Sequence, residues 1–272
     1  MIDKPLPARG MALVTGASAG IGKALAQVFA RHGFDVALTA RREDRLKTLA
    51  GEIARDCHVK THVIADDLAD PAAPRRLFEA LSAKGVVVDA LVNNAGYAVP
   101  GGFAKTKWEE QRDLIQVLMA APCHLAHLFL PGMIERRRGY ILNVASVAGL
   151  MPGSPGHALY GPAKSFLIGF SQSLHIETLK HNVHVSALCP GFTYSEFHDV
   201  TGTRAVVSQY PKYMWKNAED VAEAGYAAVM ANKPVRVTGW FNHVLWTLRK
   251  ALPENMAFAA VKRRSKRMAE KI

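Results

Sequence analysis

Short apolar runs alternate with longer helix-patterned stretches along most of this chain, and that alternation restricts its fold more than any other feature. Residues 11–15 and 35–39 read as strands, while residues 19–32 and 42–55 repeat apolar positions at the helical period. A strand-helix-strand rhythm builds parallel sheets, because parallel neighbours need a crossover long enough to hold a helix. Further strands are predicted at 58–65, 89–93, 139–145, 183–188 and 235–238, with helical segments between them. About seven parallel strands follow, in a doubly wound α/β sheet covered by helices on both faces, as right-handed crossovers require. Ligands in such sheets sit at the carboxyl ends of the strands, so functional residues are sought just after them.

The 272 residues suffice for one large core, and no linker or low-complexity segment divides them. Residues 1–272 are read as a single domain, with its core at about 11–239 and a helical basic tail at 240–272. Apolar residues make up 49% and charged residues 21%, ordinary usage for a folded chain. No run of about 18 uncharged apolar residues is read, so no membrane-spanning helix is expected. The first ten residues lack the apolar run of a secretory signal. Cys57, Cys123 and Cys189 are far apart, odd in number and suited to a reducing compartment, so a cytoplasmic location is expected and all three read as buried apolar residues. Eleven histidines without neighbouring cysteines or acids at ligand spacing imply no metal site. A net charge of +11 attracts anions: a dinucleotide phosphate, an acyl thioester, an acidic lipid surface or nucleic acid. The basic clusters at 136–138 and 262–267 lack interleaved aromatic residues, and nucleic-acid binding is set aside.

The first strand runs into Thr15-Gly16-Ala17-Ser18-Ala19-Gly20-Ile21-Gly22 and then a helix. Glycines at Gly16, Gly20 and Gly22 let the chain turn tightly and bring backbone N–H groups to a pyrophosphate at the positive end of the helix. Three residues separate the first two glycines, a departure from the common G-x-G-x-x-G spacing. In its strand-turn-helix setting the turn reads as a Rossmann-type dinucleotide site. After the second strand, where an acid usually grips the ribose of NAD, stand Arg41 and Arg42. A guanidinium fork suits a ribose 2′-phosphate, which favours NADP, and Ser18 adds a hydroxyl to that site. The bland alternative is that both arginines simply begin an exposed helix.

Tyr160 and Lys164 lie four apart in the helix-patterned segment 158–181 and share one face of it. A nearby ammonium stabilises a tyrosinate, which makes Tyr160 a usable acid or base. Tyr-x-x-x-Lys is common by chance. Its weight here comes from Ser146, which closes the preceding strand fourteen residues upstream with a hydroxyl able to orient a carbonyl.

Taken in order, Thr15-Gly16-x-x-x-Gly20-x-Gly22, Asp67-Leu68, Asn93-Asn94-Ala95-Gly96, Ser146, Tyr160-x-x-x-Lys164 and Pro190-Gly191 make the chain resemble the short-chain dehydrogenase/reductase family over roughly residues 11–239. The resemblance implies hydride transfer between NADP and the carbonyl or alcohol carbon of a small-molecule substrate. It implies that Asp67 and Leu68 contact the adenine and that Ile21 belongs to the cofactor turn. By the same resemblance Asn94, Ala95 and Gly96 flank the cofactor, while Pro190, Gly191 and Thr193 line the nicotinamide. Lys164 would also bind the nicotinamide ribose, Tyr160 would donate the proton, and Ser146 would hold the substrate oxygen. The family's dimers and tetramers use the helices that correspond to 108–138 and 158–181, so a homodimer or homotetramer is expected.

Two departures from the family pattern stand out. Leu118, thirteen residues before Pro131, replaces an asparagine that normally maintains a water chain from the lysine to solvent. Either Gln116 or water compensates, or turnover is slow. In the extreme case the chain is a catalytically impaired NADP-binding regulatory or scaffold protein. Ala19 stands where NADP-preferring members often carry a basic residue, which leaves phosphate recognition to Arg41 and Arg42. The irregular segment 197–214, with Phe197, Tyr210 and Tyr213, points to a bulky or apolar substrate. The amphipathic tail 240–272 carries six lysines or arginines from Lys262 onward. Packing on the body is favoured for it; covering the substrate, meeting a partner subunit or weak peripheral contact with an anionic membrane remain open.

Overall fold

The computed structural model describes residues 10–153, 156–197, 201, 204–253, 255–259 and 261–262. Its first half repeats the strand-helix unit as β1 (Met11–Thr15), α1 (Gly20–Arg31), β2 (Asp35–Ala40), α2 (Glu43–Cys57), β3 (Thr61–Ala65), α3 (Ala73–Ser82) and β4 (Val88–Asn93). A long helix follows as α4 (Trp108–Ile115) and α5 (Ala121–Glu135), then β5 (Gly139–Val144), α6 (Tyr160–Thr178) and β6 (Val183–Cys189). The last part holds β7 (Phe192–Tyr194), α7 (Arg204–Val207), β8 (Trp215–Asn217), α8 (Ala218–Met230), β9 (Val235–Val237) and α9 (Trp240–Ala251).

Seven strands form one parallel sheet in the order β3-β2-β1-β4-β5-β6-β9. This is the expected doubly wound α/β arrangement. Strands such as β1 and β4 are buried along their whole length, which explains their unbroken apolar sequences. Alternate side chains serve opposite faces. Ala12 and Val14 pack with Leu25, Leu46 and Tyr226 of α1, α2 and α8, whereas Met11 and Leu13 pack with Leu77, Leu125 and Ala163 of α3, α5 and α6. Strand order reverses between β1 and β4, and the crevice at their carboxyl ends is the place such a sheet reserves for a ligand.

Several boundaries differ from expectation. β3 starts at Thr61 rather than residue 58, because His58 adopts a left-handed conformation (φ 55°) that closes α2, its N–H donating to the Ala54 carbonyl. The helix Trp108–Glu135 winds through a π turn at Gln116–Ala120. At 28 residues this helix is, by length and composition, long and apolar enough to cross a membrane. Gln116, His124 and His127 interrupt its apolar run, and the core helix of a globular protein meets the same measure. Leu114, Leu118, Ala121 and Leu125 of the helix are buried in the core beside the sheet. Only Cys189 is fully buried; Cys57 and Cys123 are half-buried, which corrects the reading of all three as buried.

β7 and β8 form a separate two-stranded parallel ribbon that the sequence reading missed. Phe192 stacks on Tyr210 and Trp215, at 4.9 and 5.3 Å between ring centroids. The arginines at 136–138 serve the opposite end of the sheet, where Arg136 donates to the Val88 carbonyl and Arg137 to that of Lys180. Most of the basic cluster 262–267 lies outside the described residues, as do residues 1–9 of the proposed domain.

Candidate active site

The turn after β1 is shaped as much by its neighbours in the chain as by any ligand. Gly16 (φ 65°) and Gly20 (φ 55°) occupy the left-handed region that favours glycine. A Cβ on Gly22 would stand 2.2 Å from the Gly16 carbonyl oxygen and 2.3 Å from Asn94 Nδ2, so no larger residue fits. Asn94 and Ala95 fasten the turn to β4: Asn94 Nδ2 donates to the Thr15 carbonyl (2.9 Å), and both backbone N–H groups donate to Thr15 Oγ1 (3.0 Å each). A tight glycine turn opening onto a helix N-terminus fits a pyrophosphate.

Every residue singled out in the sequence for the cofactor or for catalysis lines one cavity of about 1770 Å³. Cavities for one small ligand span roughly 300–1,000 Å³, so this one has room for a dinucleotide and a second molecule. At its adenosine end Leu68 is buried, and Arg41 Nη1 lies 3.9 Å from Asp67 Oδ2. Arg42 Nη2 donates to Ser18 Oγ (3.1 Å), bringing together the two groups proposed for the 2′-phosphate. Two residues that sequence reasoning missed join them: Glu196, just after β7, accepts from Arg42 and from Arg45 in the first turn of α2. No local pattern marks such a contact, since about 150 residues separate its partners.

At the other end, β5 stops at Val144 and presents Ser146, whose hydroxyl accepts from the Ala148 N–H (3.1 Å) and is hydrogen-bonded to Tyr160. Tyr160 opens α6. One turn on, Lys164 is 4% exposed; its Nζ donates to the Val144 carbonyl (2.7 Å) and lies 5.8 Å from the Tyr160 ring centroid. Burial pushes the Tyr160 hydroxyl up to about 12, with the Ser146 hydrogen bond pulling the other way. Burial brings Lys164 down to about 8, while Cys189 acts in the opposite direction. At neutral pH Tyr160 therefore carries its proton and most of Lys164 its charge. Gly191 is pinned by α9: a Cβ there would stand 2.2 Å from Asn242 Nδ2, which donates to the Thr238 carbonyl.

Leu118 sits in the π turn, 1% exposed. A Cβ on Gly96 would lie 2.7 Å from Leu118 Cδ2 and 3.6 Å from Lys164 Nζ, so the leucine methyl and the lysine head both flank Gly96, and the expected hydrogen-bonding side chain is replaced by an apolar one. Gln116 is not among the residues lining the cavity. The cavity also takes in a group of apolar side chains beside Thr201, Tyr210, Asn242 and Arg249. The Phe197 ring lies 5.8 Å from that of Tyr160, and Val207, Met214, Leu245 and Leu248 form the far wall.

A sequence profile described as short chain dehydrogenase matches residues 10–204. The chain belongs to the short-chain dehydrogenase family. This short-chain dehydrogenase is 34% identical over 257 residues to a very-long-chain 3-oxoacyl-CoA reductase of Mycosarcoma maydis, covering 92% of this chain and 72% of the other. It is 31% identical over 242 residues to a 3-oxoacyl-[acyl-carrier-protein] reductase of Escherichia coli strain K12, covering 86% and 95%. Among solved structures it resembles a short-chain dehydrogenase from Sphingobium yanoikuyae in complex with NADPH, with a TM-score of 0.77 and 27% identity over 97% of this chain and 96% of that one. The short-chain dehydrogenase described here is thus an oxidoreductase by family.

Proposed function

We propose that this enzyme uses NADPH to reduce the keto group of a bulky apolar ketone, with 3-oxoacyl thioesters as the leading substrates. The observation that carries this reading is the continuity of the cavity from Ser146, Tyr160 and Lys164 into the apolar wall of Phe197, Val207, Met214 and Leu245. The relatives named for 3-oxoacyl reduction support the same substrate class. Arg41 and Arg42 directly after β2, where an acid would grip the ribose of NAD, with Ser18 in the turn after β1, support NADP over NAD, and so does the NADPH complex of the Sphingobium relative.

In this mechanism the glycine turn from Gly16 to Gly22 binds pyrophosphate, Asp67 and Leu68 flank the adenine, and Asn94 to Gly96 shape the cofactor wall. Pro190, Gly191 and Thr193 would border the nicotinamide, which when bound supplies the hydride. Ser146 donates a hydrogen bond to the substrate carbonyl oxygen. Tyr160 gives that oxygen its proton as negative charge builds there. Lys164, held by the Val144 carbonyl, stabilises the tyrosinate left behind.

Loss of the reduced-nicotinamide absorbance, followed with 3-oxoacyl-CoA substrates of increasing chain length and with NADPH and NADH in parallel, tests the reading. Turnover that favours NADPH and disappears in Tyr160→Phe supports it. Tight NADPH binding without turnover on any substrate would instead favour a cofactor-binding protein without catalysis, the reading motivated by Leu118. Association as a homodimer or homotetramer is also proposed, supported by the exposure of Trp108 (59%) on α4 and Ile176 (70%) on α6. Light scattering after size exclusion decides it, and a monomeric mass would refute it.

A further inference from the structure

The chain after β7 crosses directly over the phosphate-binding turn. A Cβ on Gly20 would stand 2.9 Å from Ser195 Cβ, and the next residue, Glu196, reaches across to α2. Its carboxylate takes Arg45 Nη1 with both oxygens (2.7 and 2.9 Å) and Arg42 Nη1 with one (3.1 Å). Arg42 spends its other terminal nitrogen on Ser18. An oxyanion of this chain therefore already holds Arg42, proposed above to receive the 2′-phosphate of NADP, together with its neighbour Arg45. A carboxylate and a phosphate compete for one guanidinium fork and repel each other if both stay.

We infer that Glu196 is a displaceable internal substitute for the 2′-phosphate, that Arg45 joins Arg42 in recognising that phosphate, and that NADP must displace Glu196 from these arginines to bind. The inference rests on the NADP reading above. Ion pairs this exposed are weak, so the clasp exchanges readily and sets a small cost on NADP binding rather than a block. A cofactor without the phosphate has nothing to offer the arginines in exchange and leaves the clasp shut. Phe197 follows Glu196 directly and packs near the Tyr160 ring. The segment that the phosphate displaces is thus the one that bounds the reacting end of the cavity.

Binding to the full-length protein tests this, with NADPH and NADH followed by fluorescence and with 2′,5′-ADP and 5′-AMP followed by calorimetry. Glu196→Gln should bind NADPH and 2′,5′-ADP roughly fivefold tighter, as expected if an exposed clasp leaves about one molecule in five competent, with NADH and 5′-AMP unchanged. Arg45→Gln should weaken NADPH and 2′,5′-ADP about tenfold and spare NADH, the loss of one charge-assisted contact. An unchanged or weaker affinity of Glu196→Gln for 2′,5′-ADP overturns the inference, and so does an Arg45→Gln variant that binds it normally. The NADP reading fails separately, if both the unsubstituted protein and Glu196→Gln hold NADH as tightly as NADPH.

Discussion

Tyr160 and Lys164 are shifted in opposite directions by the same burial, and the pair sets how this site responds to pH. Reduction needs the tyrosine protonated and the lysine charged. With Tyr160 near 12 and Lys164 near 8, kcat/KM for ketone reduction should be flat around neutrality and fall as pH rises through about 8, where the ammonium is lost. A pH-rate profile that falls towards acid would contradict this assignment. Tyr160→Phe should lower turnover at least about 100-fold, the contribution of a positioned proton donor, while fluorescence titration shows NADPH affinity unchanged. Leu118→Asn addresses the lysine head from the other side. If proton resupply limits the rate, this variant should raise kcat severalfold with little change in NADPH affinity. Its denaturation midpoint should drop, because the new amide is buried among apolar neighbours at a cost of about 1–3 kcal/mol. An unchanged kcat would mean that the missing amide does not limit turnover.

At the scale of elements, the turn after β1 gives the sharpest stability prediction. Gly22→Ala forces a methyl against the Gly16 carbonyl and Asn94, and should cost about 1–3 kcal/mol in urea unfolding as well as cofactor affinity. Unfolding at the unsubstituted midpoint would show that the turn relaxes more easily than its contacts imply. The central strands and this turn were legible in the sequence for physical reasons. A strand buried on both faces leaves an unbroken apolar run, and a turn packed this tightly admits only glycine. The β7–β8 ribbon was not legible, since strands of three residues carry no period, and Phe192 and Trp215 find each other only after the sheet forms. Nor was the π turn, which changes the winding without changing the apolar pattern around Leu114 and Leu118. Ser146, Tyr160 and Lys164 could be chosen because strand end and helix face fix their positions. Glu196 and Arg45 could not, because only the return of the chain after β6 brings them together.

For the whole molecule, the cavity joins two stretches of chain with different duties. Its far wall includes Val207, Met214, Leu245 and Leu248, all from beyond residue 204. Leu245→Trp should shorten the preferred acyl chain, lowering kcat/KM for long 3-oxoacyl-CoA substrates roughly tenfold while short ones react as before; equal losses for both would place Leu245 outside the substrate path. The glycine turn, the arginines, Ser146, Tyr160 and Lys164 all fall within residues 10–204, the stretch shared with the family profile. If the far wall selects the substrate as proposed, reaction and clientele are encoded in consecutive, largely separate portions of the gene. Mutations that accumulate in the last quarter can retarget the enzyme by small steps, each intermediate still able to move a hydride, so new substrates need not be reached through an inactive ancestor.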